Sequence, residues 1–512
     1  MSLFRIFLIA LVAVTAGTAQ NTQSFLADFE KRVTEFTLSN GLHFIVLERH
    51  DAPVVSFHSY VNAGSVNDPR GETGIAHMFE HMAFKGTPQI GTTNYPAEKQ
   101  AMDEVERIYD QYDVERARGT KADTAKLQAL QEQLKAAIEK ANTYVIPNAY
   151  PEIIDENGGV GMNAETAVDA TQFFYSFPSN RIELWFLLEA ERFAEPVFRE
   201  FYKERDVVRE ERRMRTESDP EGMLVEALQA TAFEAHPYRV GSVGWASDIE
   251  NFRLTEAVQF YRKYYVPANI TIAIVGDVDP KQARVFAEKY FGRIPAGPLP
   301  LGVRTVEPPQ VGPKTAEVES PSQPLAMIAY KRPDENDKDD PVFDVISDIL
   351  SSGRTSMLYT DMVRDKRLSL AAQTGATYPG GKYPNLFVFF LAPNLGHTLV
   401  DNEKECYAVI DRLKNEKVDE ETLKRVKTRI RAGLIHELDS NEGLATQLTF
   451  YYVNYGDWKK MFTGLDDVDR VTADDVQRVA RKYFVPESRT AASIAAPAGA
   501  GISAPEAQGE AK

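Results

Sequence analysis

His77, Glu80 and His81 are the residues of this chain whose types and spacing could do chemistry. They lie in the run His77-Met78-Phe79-Glu80-His81. In a helix, residues four apart sit about one turn apart on one face, and Glu80, three residues after His77, shares that face. Two neutral imidazoles so placed can hold a divalent metal, and a neighbouring carboxylate can take a proton from water that the metal activates. With 8 histidines and 75 acidic residues in 512 positions, chance produces this pattern about 0.02 times per chain, so coincidence is a poor account of it.

The surrounding sequence has to position these side chains. Gly71-Glu72-Thr73-Gly74 offers a helix start with Thr73 as N-cap, and Lys85-Gly86 offers a stop. Between them Ile75, Ala76, Met78, Phe79, Met82, Ala83 and Phe84 predict a helix buried almost all round. Polar groups in such a helix need partners, and a metal would supply one. Catalytic zinc takes three protein ligands and keeps a fourth position for water, so another element must contribute a carboxylate or imidazole. The segment 201–214 is a candidate. Phe201, Val207, Val208 and Met214 form an apolar stripe. Glu204 and Glu211 are seven apart and share a face, while Glu210 points about a third of a turn away. Taken alone, the segment also reads as a solvated charged helix laced by i,i+4 pairs.

Together these segments resemble the pitrilysin family of zinc peptidases, the inverted zincins, which includes insulin-degrading enzyme and mitochondrial processing peptidase. Ser39-Asn40-Gly41-Leu42 followed by Phe44-Ile45-Val46 resembles the family's opening hairpin. Ala63-Gly64-Ser65, Gly74-Ile75-Ala76-His77 and Phe84-Lys85-Gly86-Thr87 resemble its active-site helix and exit. Asn163-Ala164-Glu165-Thr166 resembles its substrate strand, 204–211 its third-ligand helix, and His236-Pro237-Tyr238 a family loop. The resemblance covers most of residues 30–490. It implies an α+β fold of two homologous halves, each a mainly antiparallel sheet covered by helices, facing each other across a chamber. It implies one Zn2+ per chain on His77, His81 and Glu211, Glu80 as general base, and Glu204 steadying a ligand histidine. A peptide substrate would add as a strand beside Asn163 and Ala164.

One departure is large. His81 and Glu211 are 130 residues apart (211 − 81), roughly fifty more than the family usual, and an insertion of that size should carry its own structure. Met102, Val105, Ile108, Tyr109 and Tyr112 recur at helical spacing, as do Leu127, Leu130, Leu134 and Ile138, with a break at Gly119-Thr120. The pattern predicts a helical hairpin over about 97–142. It is read as a solvated elaboration, lightly docked and packed on its own seam, with partner binding or substrate gating as the alternative.

Composition bounds the rest. The length allows two or more domains. Hydrophobic content of 43% and charged content of 26% suit a globular protein. A net charge of −17 argues against a nucleic-acid partner, which wants basic patches. Residues 1–19 combine Arg5, an apolar run over 6–14 and a small-residue site ending at Ala19, a secretory signal cleaved near Ala19. The apolar run is short for a stable span. The expectation is a periplasmic or secreted protein with no membrane span after cleavage; an uncleaved inner-membrane anchor is the alternative. Cys406 is the single cysteine, so no intrachain disulfide is expected.

The chain also repeats itself. Arg262-Lys263-Tyr264-Tyr265-Val266-Pro267 recurs as Arg481-Lys482-Tyr483-Phe484-Val485-Pro486. Each follows a helical segment that starts near a threonine, Thr255 and Thr472, and each precedes a strand-like run, 270–275 and 490–495. Duplicated halves follow. The expected plan is a zinc-bearing domain at 24–293, a Pro- and Gly-rich linker at 294–314, a homologous domain at 315–495 and a disordered tail at 496–512. In single-chain relatives the second half sends an arginine, and seven residues on a tyrosine, towards the substrate. Here Arg364 fits, but Ala371 holds the tyrosine position. The expected function is a zinc metalloendopeptidase acting on peptides or unfolded segments. Its partner would be a homologous subunit supplying the Arg/Tyr pair, or a second copy in a homodimer. The alternative is a scaffold subunit with little or no activity in a heteromeric assembly.

Overall fold

The computed structural model describes Leu26 and residues 29–495; the leader, with Ala19, and the 496–512 tail lie outside the described residues. Two sheets organise the chain. The first runs β1 (Val33–Thr37), β2 (His43–Glu48), β6 (Ile270–Gly276), β3 (Val54–Val61), β5 (Thr171–Pro178), β4 (Val160–Thr166) in spatial order. The second runs β7 (Lys314–Glu319), β11 (Arg489–Ala495), β8 (Leu325–Arg332), β10 (Asn385–Pro393), β9 (Ser369–Tyr378). Each is antiparallel except at one pair, β2 with β6 and β7 with β11.

The orders β2-β6-β3-β5-β4 and β7-β11-β8-β10-β9 are one topology used twice. The repeated hexapeptide occupies equivalent places in both. It closes the helices Leu254–Tyr264 and Ala473–Tyr483, passes through the short turns Pro267–Asn269 and Pro486–Ser488, and enters β6 and β11. Tyr265 packs its ring 4.1 Å from that of Phe79, and Phe484 packs on Phe387 at 5.0 Å. The helix starts differ. Thr472 caps its helix in a reciprocal box with Asp475, whereas Arg253, one residue before the helix, takes the cap position that Thr255 does not.

The compact units are not contiguous in sequence. The first takes the chain up to Glu210, then Ser242–Val303 and Gly433–Asp466; the second takes Glu211–Gly241, Arg304–Ala432 and the chain from Asp467. This division differs from a simple cut at the linker, and the reason is burial. β2 and β6 are apolar on both faces, as strands covered on two sides must be. Phe44, Val46, Ile272 and Ile274 face one core, while Ile45, Leu47, Ala273 and Val275 face another built from Leu444, Ala445 and Leu448 of the helix Asn441–Tyr455. Each large aliphatic side chain so covered contributes about 1.5–3 kcal/mol. In the second unit the helix Pro220–Ala232 packs on β7, β8 and β11.

The helices Tyr95–Arg116 and Thr124–Asn142 form a hairpin over the segment expected as a helical insertion, N-capped by Asn94 and Asp123. They are not lightly docked. Ala101, Val105, Ile108 and Tyr109 belong to the main core of the first unit, and Glu98 is fully buried. Among the described residues no helix is long and apolar enough to cross a membrane.

Candidate metal centre

His77 and His81 lie on the eight-residue helix Ile75–Met82. The cap differs from the expectation. Gly74, not Thr73, is the N-cap, at φ 93°, and a Cβ there would come within 2.3 Å of the Val243 carbonyl. Asp68 satisfies the helix start from upstream, accepting from Gly74 N at 2.6 Å and Ala76 N at 3.1 Å. Thr73 is spent elsewhere: its hydroxyl donates to Asp248 at 2.6 Å and accepts from Trp245 N.

One turn of helix brings the two Nε2 atoms to 3.3 Å, with the rings nearly perpendicular. Glu211 arrives on the helix Phe201–Arg212. The unit boundary falls inside this unbroken helix, so the same rod that carries Glu204 carries Glu211. One ligand atom from each of His77, His81 and Glu211 lies within 4.8 Å of the others, and this is the cluster of its kind among the described residues. Glu210 is exposed on the same helix.

Glu204 completes the arrangement. Its Oε1 accepts from His81 Nδ1 at 2.9 Å, and Lys85 Nζ approaches its Oε2 at 2.6 Å. Facing a carboxylate, Nδ1 is assigned the proton, which leaves the Nε2 lone pair directed at the cluster. Burial alone would raise the Glu204 carboxyl, but the His81 and Lys85 hydrogen bonds outweigh it and hold the group at about 2. Glu211 is also paired with Arg215 at 2.8 Å.

The donor set fits zinc. Two imidazole nitrogens each about 2.05 Å from a tetrahedral ion stand about 3.3–3.4 Å apart, which is the Nε2 separation here. Two imidazoles and a carboxylate match the ligand chemistry of catalytic sites.

Glu80 and His81 open into a cavity of about 430 Å³, walled also by Phe84, Lys85, Ile146 and Lys203. Asn163 and Ala164 lie on β4, the outermost strand, which pairs only with β5 within its sheet; the helix Ile75–Met82 packs against both strands. Arg364 is in the second unit, in the π-helical segment Tyr359–Asp365, with its exposed guanidinium clasped by Asp365 at 2.6 and 2.9 Å. Ala371 is on β9. A second cavity, about 250 Å³ among Asp348, Arg412, Arg425 and Arg429, contains none of the sequence-predicted site residues. His43, His50 and His58 are engaged elsewhere, by Thr37, Asp277 and Thr449.

Sequence reasoning missed three contributors. Lys85 reads as a helix stop, yet its ammonium meets Glu204 and Glu200. Asp68 caps across six and eight residues, beyond the local cap signature. Arg199 carries no local signal, and its partners lie more than 100 residues away in sequence.

The family model described as Insulinase (Peptidase family M16) matches residues 44–112, and that described as Peptidase M16 inactive domain matches residues 251–430. The chain is 28% identical over 489 residues to a zinc protease, PqqE, of Helicobacter pylori, covering 93% of this chain and 94% of that one. Among solved structures it resembles a protease from Helicobacter pylori (TM-score 0.76, 25% identity, 90% and 99% covered). It also shares the fold of a peptidase M16 inactive domain from Pseudomonas fluorescens (TM-score 0.71, 16% identity, 91% and 98% covered).

Proposed function

Because the chain belongs to the insulinase (M16) family of peptidases, we propose that it is a zinc-dependent metalloendopeptidase that hydrolyses peptides or unfolded segments. The observation that carries this reading is the convergence of His77, His81 and Glu211. These three residues would hold one Zn2+, which when bound would supply Lewis-acid chemistry to a scissile carbonyl and to water. Glu80, beside the ligand pair and open to the cavity, takes the proton from the attacking water and delivers it to the leaving amide nitrogen. Glu204 fixes the His81 tautomer and orientation. The outer edge of β4, which among the described strands pairs with β5 alone, is where a substrate strand can add beside Asn163 and Ala164. The leader-like pattern of 1–19 supports export to the periplasm or beyond.

A second reading concerns partners. Ala371 has no donor where a tyrosine is expected, so a homologous subunit lacking the His-x-x-Glu-His run would supply the arginine and tyrosine that steady the substrate. The purified full chain is expected to bind one zinc and to cleave a peptide library slowly, in a chelator-sensitive way, with the rate restored by that subunit. Absence of bound zinc would overturn the metallopeptidase reading. Full activity of the isolated chain, unchanged by Arg364→Ala, would overturn the partner reading.

Glu204→Gln is expected to weaken zinc binding by about 10–100-fold, the usual effect of losing the support of a ligand histidine. Metal competition with a chelator measures it. The pH dependence has a definite sign. The carboxyl moves from an ordinary 4.5 down to about 2 on folding, so its contribution to stability is full above pH 4.5 and lost as pH falls towards 2. Glu204→Gln should remove that acid-side loss in a pH series of melts.

A further inference from the structure

The insertion helix Tyr95–Arg116 lies against the helix that carries Glu204 and Glu211, and two contacts join them. The Tyr109 and Tyr202 rings stack at 4.2 Å and 25°. Arg205 Nη1 donates to the Tyr109 hydroxyl at 2.8 Å, and its guanidinium lies over both rings, 5.6 and 5.1 Å from their centroids. Tyr109 is 2% exposed.

The second contact is Arg199, just before the ligand helix and 2% exposed. All five of its N–H donors are used. Nε and Nη2 donate to the Glu98 carboxylate of the insertion helix at 2.7 and 3.3 Å. Nη2 also donates to the Thr87 carbonyl at 2.9 Å, and Nη1 to the carbonyls of Ile90, at 2.8 Å, and Lys85. The loop makes room for the guanidinium with two glycines, Gly86 and Gly91, at φ 90° and 89°; a Cβ on either would come within 2.8 or 2.7 Å of Nη1. One buried cation thus ties together the exit of the His77–His81 helix, the insertion and the start of the ligand helix.

We propose that the insertion helix is a brace for the metal site, with Tyr109, Glu98 and Arg199 as positioning residues that hold Glu204 and Glu211 in register with His77 and His81. The proposal rests on the zinc reading for its functional meaning. Leverage makes the brace matter. Glu211 lies six residues beyond Arg205, about 9 Å along the helix, so a tilt of about 5° at the stack moves the carboxylate by nearly 1 Å, a displacement large enough to cost about 10²-fold in rate.

The test uses the full chain with Tyr109→Leu, which removes the stack and the Arg205 acceptor, and Tyr109→Phe, which keeps the stack. Arg205→Met is the further variant, at a partly exposed position, should Tyr109→Leu fail to fold. Two readouts are taken: zinc affinity by chelator competition, and backbone hydrogen exchange. Tyr109→Leu and Arg205→Met are expected to bind zinc about 10–100-fold more weakly, with exchange accelerated selectively over residues 201–212 and most affinity recovered in Tyr109→Phe. A folded Tyr109→Leu or Arg205→Met protein with a lower Tm, unchanged zinc affinity and no selective change over 201–212 would overturn the brace. If the unmodified chain bound no zinc, the metallopeptidase reading would fail, and the exchange data would still decide whether the helix is braced.

Discussion

Glu80→Gln is expected to lose at least 10²–10⁴-fold in kcat while retaining its zinc. The carboxylate is not part of the three-residue cluster, so its replacement by an amide of the same shape should leave the ligands and their support in place. What disappears is the base: an amide cannot take the proton from water or return it to the leaving nitrogen. At 1.36 kcal/mol per decade the loss corresponds to about 3–5 kcal/mol of transition-state stabilisation. Because the side chain acts on the reacting atoms, kcat should fall with KM little changed. Steady-state kinetics on a cleaved peptide, with metal analysis of the same sample, decides the matter. Turnover near that of the unmodified chain would remove Glu80 from the mechanism; loss of zinc would make it structural.

Glu211→Ala should abolish stoichiometric zinc and with it activity, whereas Glu210→Ala should spare both. The two residues are adjacent in sequence but about 100° apart around the helix. Glu211 is 14% exposed and joins the histidine pair, and Glu210 faces solvent. Loss of a direct ligand should exceed the 10–100-fold cost of losing the residue behind one. Removing Glu211 also ends its pair with Arg215, a small loss because that guanidinium is 69% exposed and solvated. Metal content after dialysis of both variants reads the outcome. Equal zinc loss, or loss only in Glu210→Ala, would shift the register of the ligand helix.

What the sequence makes legible here is what short-range periodicity governs. The four-residue step between His77 and His81 and the seven-residue step between Glu204 and Glu211 are each properties of a single helix, and the first brings the two Nε2 atoms to 3.3 Å, whereas the His81–Glu204 contact needs two helices 123 residues apart to pack together. The repeated hexapeptide likewise points to two halves because it sits at the same turn before the same strand. The unread features are long-range. Nothing near Thr73 says that Asp68 will cap the helix instead. Nothing in 433–466 says that it will cover the second face of β2 and β6, because an amphipathic helix does not name its partner. The seam between the insertion helices is visible as periodicity, but the Tyr109–Tyr202 stack is not, since one residue of each pair lies about ninety positions from the other.

The interleaving of the two units has a consequence for synthesis. The first sheet has all six strands once β6 ends at Gly276, but one of its faces lacks most of its cover until the helix starting at Asn441 arrives, 165 residues later (441 − 276). At about 5–20 residues per second the ribosome needs roughly 10–30 s to make that stretch. Through this interval Ile45, Leu47 and Val275 have one another and Phe29 but lack Leu444, Ala445 and Leu448, the larger part of their native cover. Under the export proposed above, late closure of this face would favour the open form of the chain that a narrow translocation channel accepts.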